Sequence, residues 1–285
     1  MFKPDIEVLQ LTARIFSTVA ALVIVLALLY PVAYVLLTSL LVGQTLVVTL
    51  DALRLGLTVD RYVKTLSDPE FIRDVTTSLI VALLHILFSV LVITPAAYAF
   101  SRFKFRGRDA ILILYLILSQ VGGGFGVAAI IALYVLLVKV NSLGIPVIGN
   151  PVVLALVYTA WAVPFQTWLI KNYFDALPRE LDEAAFIDGA SWSTIVFRVI
   201  LPASRPAITV IALFPFMGAW GEFIVASFLK VPTVAAYIYQ TASGQTIFWA
   251  DFAARTILFS IPILILFVVS QRYIGEAMRY GAGKL

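Results

Sequence analysis

The groups able to do chemistry in this chain are few and scattered. There is one histidine, His85, and no cysteine, so no thiolate nucleophile or thiolate metal site exists and a lone histidine gives no metal-ligand spacing. Standing on an apolar stretch, His85 reads as a hydrogen-bonded packing residue. Glu222 is the other ionisable group well inside an apolar run, where its charge is costly and normally faces a bundle interior or water. It reads as a polar contact near an outer gate or as a helix-packing carboxylate. Asp251 and Arg255 stand four apart, the spacing that pairs charges on one helical face. The run Gly122-Gly123-Gly124-Phe125-Gly126 lacks the Lys-Ser/Thr that completes a phosphate-cradling loop, and Gly283-Lys284 is followed only by Leu285. Close helix packing through Gly122 and Gly126, or a bend, is the reading for that run. With no His-Glu-x-x-His and no Asp-rich diphosphate motif either, the chain is not expected to be an enzyme.

One polar stretch has a different character. Between two long apolar runs lie Glu183-Ala184-Ala185, then Phe186-Ile187-Asp188-Gly189, and further on Val199-Ile200-Leu201-Pro202. Pro178 fits the first turn of a helix, where its missing N–H costs nothing, and Glu180, Asp182 and Glu183 place negative charge at the positive helix end. Ala184 and Ala185 keep one side slim and Leu181 offers an apolar contact. Gly189 permits a sharp bend. Ser191 suits the cap of a second helix, which Leu201, Pro202 and Pro206 should end.

The elements around this stretch follow from composition. Of 285 residues, 62% are hydrophobic and the mean hydropathy is +1.02, too apolar for a soluble domain of this size. A helix needs about 20 apolar residues to cross a bilayer core, and residues 15–41, 75–100, 110–138, 152–170, 207–229 and 252–269 reach or approach that length. Lipid cannot satisfy backbone polar groups, so these runs predict helices. The first is too long for a signal peptide and lacks a small-residue cleavage site, so it should remain as a helix. No soluble domain boundary or internal repeat is visible, which predicts one membrane domain spanning 1–285.

Six spans put both termini on one side. That side, with the 101–109 and 171–205 loops, would hold thirteen of the Lys and Arg residues against six opposite, and the compact cluster Arg102, Lys104, Arg106 and Arg108 outweighs the outer residues Arg54, Arg61, Lys64 and Arg73. The termini and the loop 175–205 are therefore expected to be cytoplasmic. The net charge of +4 has no basic stripe with interleaved aromatics, so nucleic acid is not an expected partner and membrane lipid is.

The spacing from Glu183 to Pro202 resembles the signature of ABC importer permeases. Wider blocks resemble the shorter permease of maltose-type carbohydrate importers. These are Tyr30-Pro31 with Leu37-Thr38-Ser39-Leu40, Asp60-Arg61-Tyr62 with Ser67-Asp68-Pro69-Glu70-Phe71, the segment from Thr94 to Arg102, Pro164-Phe165 with Trp168-Leu169, and Gln271-Arg272-Tyr273 with Gly281-Ala282-Gly283. Departures are Thr77 for the family's Asn, Trp220-Gly221-Glu222-Phe223 for Trp-Asn-Glu-Phe, and the glycine run for a proline in the third span.

The resemblance implies an all-α integral membrane protein, with six transmembrane helices in the type I ABC importer permease fold. Glu183, Ala184, Ala185, Asp188, Gly189, Leu201 and Pro202 would seat in a cytoplasmic ATPase. It further implies two ATPase subunits holding ATP and Mg, no cofactor on this chain, a second related permease chain, and an extracellular or periplasmic sugar-binding protein reached by the 230–251 loop. The expected cargo is a di- or oligosaccharide. In the pathway, Tyr158, Trp161, Trp168 and Trp220 could stack on a sugar ring with Gln166 hydrogen bonding beside them, and Glu222 would stand near the gate. The same aromatics also suit membrane interfaces. An importer for another small solute and an ion-coupled secondary transporter remain open at this point.

Overall fold

The computed structural model describes residues 6–44, 47–121, 126–243 and 247–282, with side chains described outside 6–12, 120, 121, 127 and 272–282. Helices account for nearly all of it. In order they are α1 (Ile6–Leu40), α2 (Leu50–Arg54), α3 (Asp60–Leu66), α4 (Pro69–Arg102), α5 (Arg108–Val121), α6 (Gly126–Ser142), α7 (Pro151–Asp175), α8 (Glu180–Ile187), α9 (Trp192–Ala203), α10 (Arg205–Gly221), α11 (Ile224–Phe228), α12 (Val234–Ala242) and α13 (Trp249–Ala282). By length and composition, α1, α4, α7 and α13 each suffice to cross a membrane, and α9 with α10 forms a pair bent by 94°.

Two compact units divide the chain, one of residues up to 67 with 241–258, the other of 68–240 with residues from 259 on. In the first, the stretch of α1 from Phe16 to Val32 is apolar and nearly all of its side chains are exposed, Phe16 at 76% and Leu28 at 70%; such a stretch belongs in lipid or against another chain. Its C-terminal end is tied to α3 by Ser39, whose hydroxyl meets Tyr62 Oη at 2.5 Å. Asp251 does not serve only a local pair. It takes Arg61 at 2.7 Å, because that guanidinium is already held beside it by three backbone carbonyls.

In the second unit α4 packs on α7 and α10, and α5 on α7. The starts of α4 and α7 share one local recipe. Asp68 and Asn150 accept from Glu70 N at 3.0 Å and Val152 N at 2.9 Å, with a proline at the first helical position. Where the third span was expected, α5 and α6 flank 122–125; those residues, which carry most of the glycine run, lie outside the described ones, and Gly126 opens α6. The helix expected over 207–229 stops at Gly221, and Glu222 is extended at φ −81°, ψ 127°. Hydropathy continues past that point, but the carboxylate turns to bond backbone N–H groups of the next helix.

Candidate functional site

The segment between α7 and α10 folds as the expected helix pair. α8 starts at Glu180 with Arg179 as its cap residue, so Pro178 precedes the helix and does not occupy its first turn. At its far end Gly189 N reaches Phe186 O at 3.1 Å and Ala190 N reaches Ala185 O at 3.0 Å, with Gly189 at φ +77°. This is a Schellman stop, whose left-handed residue is normally glycine. Ser191 then caps α9 through Thr194 N at 3.3 Å. Residues 195–200 of α9 widen to π-helix just before Pro202. Pro202 has no N–H and its ring crowds the carbonyl four residues back, so a wider turn relieves both conflicts. Ser204, at φ −99°, ψ 76°, makes the bend into α10.

The motif residues divide between two faces. Ala185 is buried in a core with Ile93, Ile170, Phe174, Ile195 and Ile200, and Leu201 packs partly against it. Glu183, Ala184, Asp188, Gly189 and Pro202 are exposed. Beside them Ile187 is 86% exposed, Phe186 59% and Trp192 53%. Trp192 lies 5.3 Å from the Phe103 ring and 5.5 Å from Phe186. A cleft of ≈ 580 Å³ opens here, lined by residues including Tyr98, Arg102, Arg179, Asp182 and Trp192.

The last turns of α4 hold this segment with charges that sequence reading credited only to membrane orientation. Arg102 Nε pairs with Asp182 Oδ2 at 2.9 Å, and Tyr98 donates to Asp182 Oδ1 at 2.7 Å. Ser101 donates to Asp175 at 2.6 Å, and Lys171 takes the other oxygen of that carboxylate. The available signal was a Tyr-x-x-Ser-Arg helix end facing two aspartates 74 to 84 residues on, too distant for local patterning.

The pathway candidates do not gather at one surface. Tyr158 donates to Glu222 Oε2 at 2.5 Å, and Glu222 accepts from Val225 N at 2.8 Å and Ala226 N at 3.2 Å. His85 stands 5.9 Å from the Tyr158 ring and its Nδ1 is 3.0 Å from Pro215 O; because a carbonyl only accepts, Nδ1 carries the proton. Trp220 is stacked with Phe216 and Phe259 and donates to Phe259 O, and at 1% exposure it offers no open ring surface to a sugar. Gln166 is buried, whereas Trp161 is 49% exposed. Among the described residues no group of three or more His, Asp or Glu side chains converges as a metal shell requires.

Comparison with known proteins gives a consistent result. Residues 93–280 match the model of the binding-protein-dependent transport system inner membrane component family. The chain is similar to the maltodextrin transport system permease protein of Bacillus subtilis, 32% identical over 96% of both chains. To the galactooligosaccharides transport system permease protein of the same organism it is 31% identical over 98% of this chain and 99% of that one. To the trehalose/maltose transport system permease protein of Thermococcus litoralis it is 31% identical over 96% and 98%. Its fold is that of a chain in the crystal structure of a bacterial ABC transporter involved in import of the acidic polysaccharide alginate, with a TM-score of 0.72, 21% identity, and coverage of 96% and 99%.

Proposed function

The chain belongs to the binding-protein-dependent transport system inner membrane component family, and from that membership we propose that it is one permease half of an ATP-driven importer for a di- or oligosaccharide, gripped from the cytoplasm through residues 175–205. It is a multi-pass protein of the cell membrane and a transport subunit, not a catalytic one.

The observation that carries the coupling reading is the exposed apolar tip formed by Phe186, Ile187 and Trp192. It sits on short helices flanked by Glu183 and Asp188, outside the apolar spans. Large apolar side chains grouped in this way mark a surface that another protein covers. A cytoplasmic ATPase is that protein in this reading. Glu183 offers it a carboxylate, and the Schellman stop at Gly189 sets the angle between α8 and α9. Two such ATPases hold the ATP and Mg.

In the membrane we assign six spans, with α5 and α6 together forming the third and both termini cytoplasmic, in keeping with the excess of Lys and Arg on that side. A second, related permease supplies the other half of the path. The relatives' names, maltodextrin, galactooligosaccharides and trehalose/maltose, support a saccharide as cargo, delivered by a binding protein to the 230–251 side. His85 and Glu222 already serve internal hydrogen bonds, which disfavours an ion-coupled cycle.

Gly189→Val tests the reading. It should abolish substrate-stimulated ATP hydrolysis in the purified complex while all spans remain inserted. Wild-type coupling in that variant, or a chain that brings down no ATPase, would refute the assignment.

A further inference from the structure

We infer that Arg102, Tyr98 and Asp182 form a positioning clamp that makes α8 and the C-terminal end of α4 move as one body, so that force received at the ATPase-facing tip enters the core bundle through α4 and not only along the chain into α10. This rests on the coupling reading above and deepens it: none of the three residues belongs to the signature running from Glu183 to Pro202.

Along the chain, helix regularity is interrupted three times between α8 and α10. From α8 the chain passes through the left-handed stop at Gly189, the π-widened stretch 195–200 and the bend at Ser204, where α9 meets α10 at 94°. Each is a place where helix regularity is broken, and such breaks absorb angular change.

The α4 route is bonded at three levels. Asp182 forms an ion pair with Arg102, Nε to Oδ2 at 2.9 Å but without hydrogen-bond geometry, and its other oxygen accepts from the Tyr98 hydroxyl at 2.7 Å. Arg102 also donates to Leu177 O at 3.3 Å, in the link between α7 and α8. Beside Arg102, Ser101 shares Asp175 with Lys171. The Arg102 and Asp182 side chains are only 7% and 17% exposed, so water competes weakly for the pair, and the hydrogen bonds of Tyr98 to Asp182 and of Arg102 to Leu177 O give it direction. Beneath it Ala185 sits in the same core as Ala97 and Tyr98; its small side chain permits close approach. An exposed surface pair would not hold two helices in a fixed angle. This one is enclosed and shared.

The test uses the complete transporter, permease pair, ATPases and binding protein, in liposomes, with uptake and ATP hydrolysis measured together. Tyr98→Phe and Asp182→Asn should still co-purify the ATPase at wild-type stoichiometry. Substrate imported per ATP hydrolysed should fall about tenfold in Asp182→Asn and severalfold in Tyr98→Phe. The exchange Arg102→Asp with Asp182→Arg should recover more than half of the lost ratio. Glu180→Gln removes another first-turn charge from α8 without touching α4 and should keep the ratio.

Wild-type ratios in both single variants would overturn the clamp. So would loss of the ATPase in Asp182→Asn alone, since Asp182 would then be a docking residue. Failure of the unmodified chain to bring down any ATPase would refute the coupling reading itself, and the clamp with it.

Discussion

Arg61 and Asp251, 190 residues apart, meet at 2.7 Å through a guanidinium that also reaches the carbonyls of Leu41, Val42 and Gly43. One side chain thereby closes the chain leaving α1 onto the start of α13. Its charge also suits the negative C-terminal end of α1. The Arg61 side chain is 11% exposed and that of Asp251 33%, so the pair is partly screened, but the carbonyls lose their partner together if Arg61 goes. We expect Arg61→Ala to cost about 2 kcal/mol. Asp251→Asn should cost less, because the carbonyl bonds survive. Thermal unfolding of the detergent-solubilised complex reads both; equal midpoints for the two variants would show that the carbonyl contacts contribute little.

The Schellman stop at Gly189 gives a graded expectation. A Cβ there would meet nothing within 4 Å, yet φ is +77°, so the backbone conformation alone selects glycine within this chain. Left-handed backbone costs other L-residues about 1–2 kcal/mol, least for Asn. Coupled ATP hydrolysis should therefore decline in the order Gly189→Asn, Gly189→Ala, Gly189→Val. An equal and complete loss in all three would mean that the ATPase needs the empty space and that φ is secondary.

Local chemistry made this helix pair readable from sequence: a glycine stop, a serine cap and a proline end lie within fifteen residues and each acts on backbone within a few residues of itself. Spans were readable because hydropathy is a property of contiguous residues. What escaped reading depends on partners far along the chain. Arg102 looked like one more charge in a basic loop, and only folding sets Asp182 opposite it. Asp251 had a plausible neighbour four residues on, but Arg61 was pre-positioned by carbonyls that no pattern reveals. The end of α10 at Gly221 was hidden because apolar residues continue on both sides of Glu222. Trp220 looked suited to a sugar ring, but folding buries it with Phe216 and Phe259 stacked against it.

Lys230 is strained where Gly189 is not. It has φ +55°, at the stop of α11, with Val231 N bonded to Ala226 O at 2.9 Å and Lys230 N to Ser227 O at 3.1 Å. The bond pattern is again a Schellman motif, here with a lysine at the left-handed position. Lys230→Gly should relieve that conformation and stabilise by about 0.5–1 kcal/mol after the entropy gained by the unfolded chain is counted. A higher melting midpoint with unchanged uptake is expected. A lower midpoint would show that the lysine side chain contributes more than its backbone costs.

Glu222 separates a structural from a gating role. Its two oxygens accept from Val225 N, Ala226 N and the Tyr158 hydroxyl, so it caps α11 and joins that helix to α7. Glu222→Ala leaves three donors without their acceptor and should cost about 2–3 kcal/mol. Glu222→Gln retains a carbonyl oxygen for the cap and should stay within about 1 kcal/mol of the parent. Tyr158→Phe removes one bond, and combined with Glu222→Ala it should cost less than the sum, because the shared bond is lost only once. If capping is its role, uptake per folded complex remains near the parent value in Glu222→Gln, while in Glu222→Ala the yield of folded complex falls and uptake falls with it. A Glu222→Gln protein that melts normally, assembles with its ATPase and fails to transport would require the negative charge itself in the pathway, and the cap would then be the lesser of the two functions of this carboxylate.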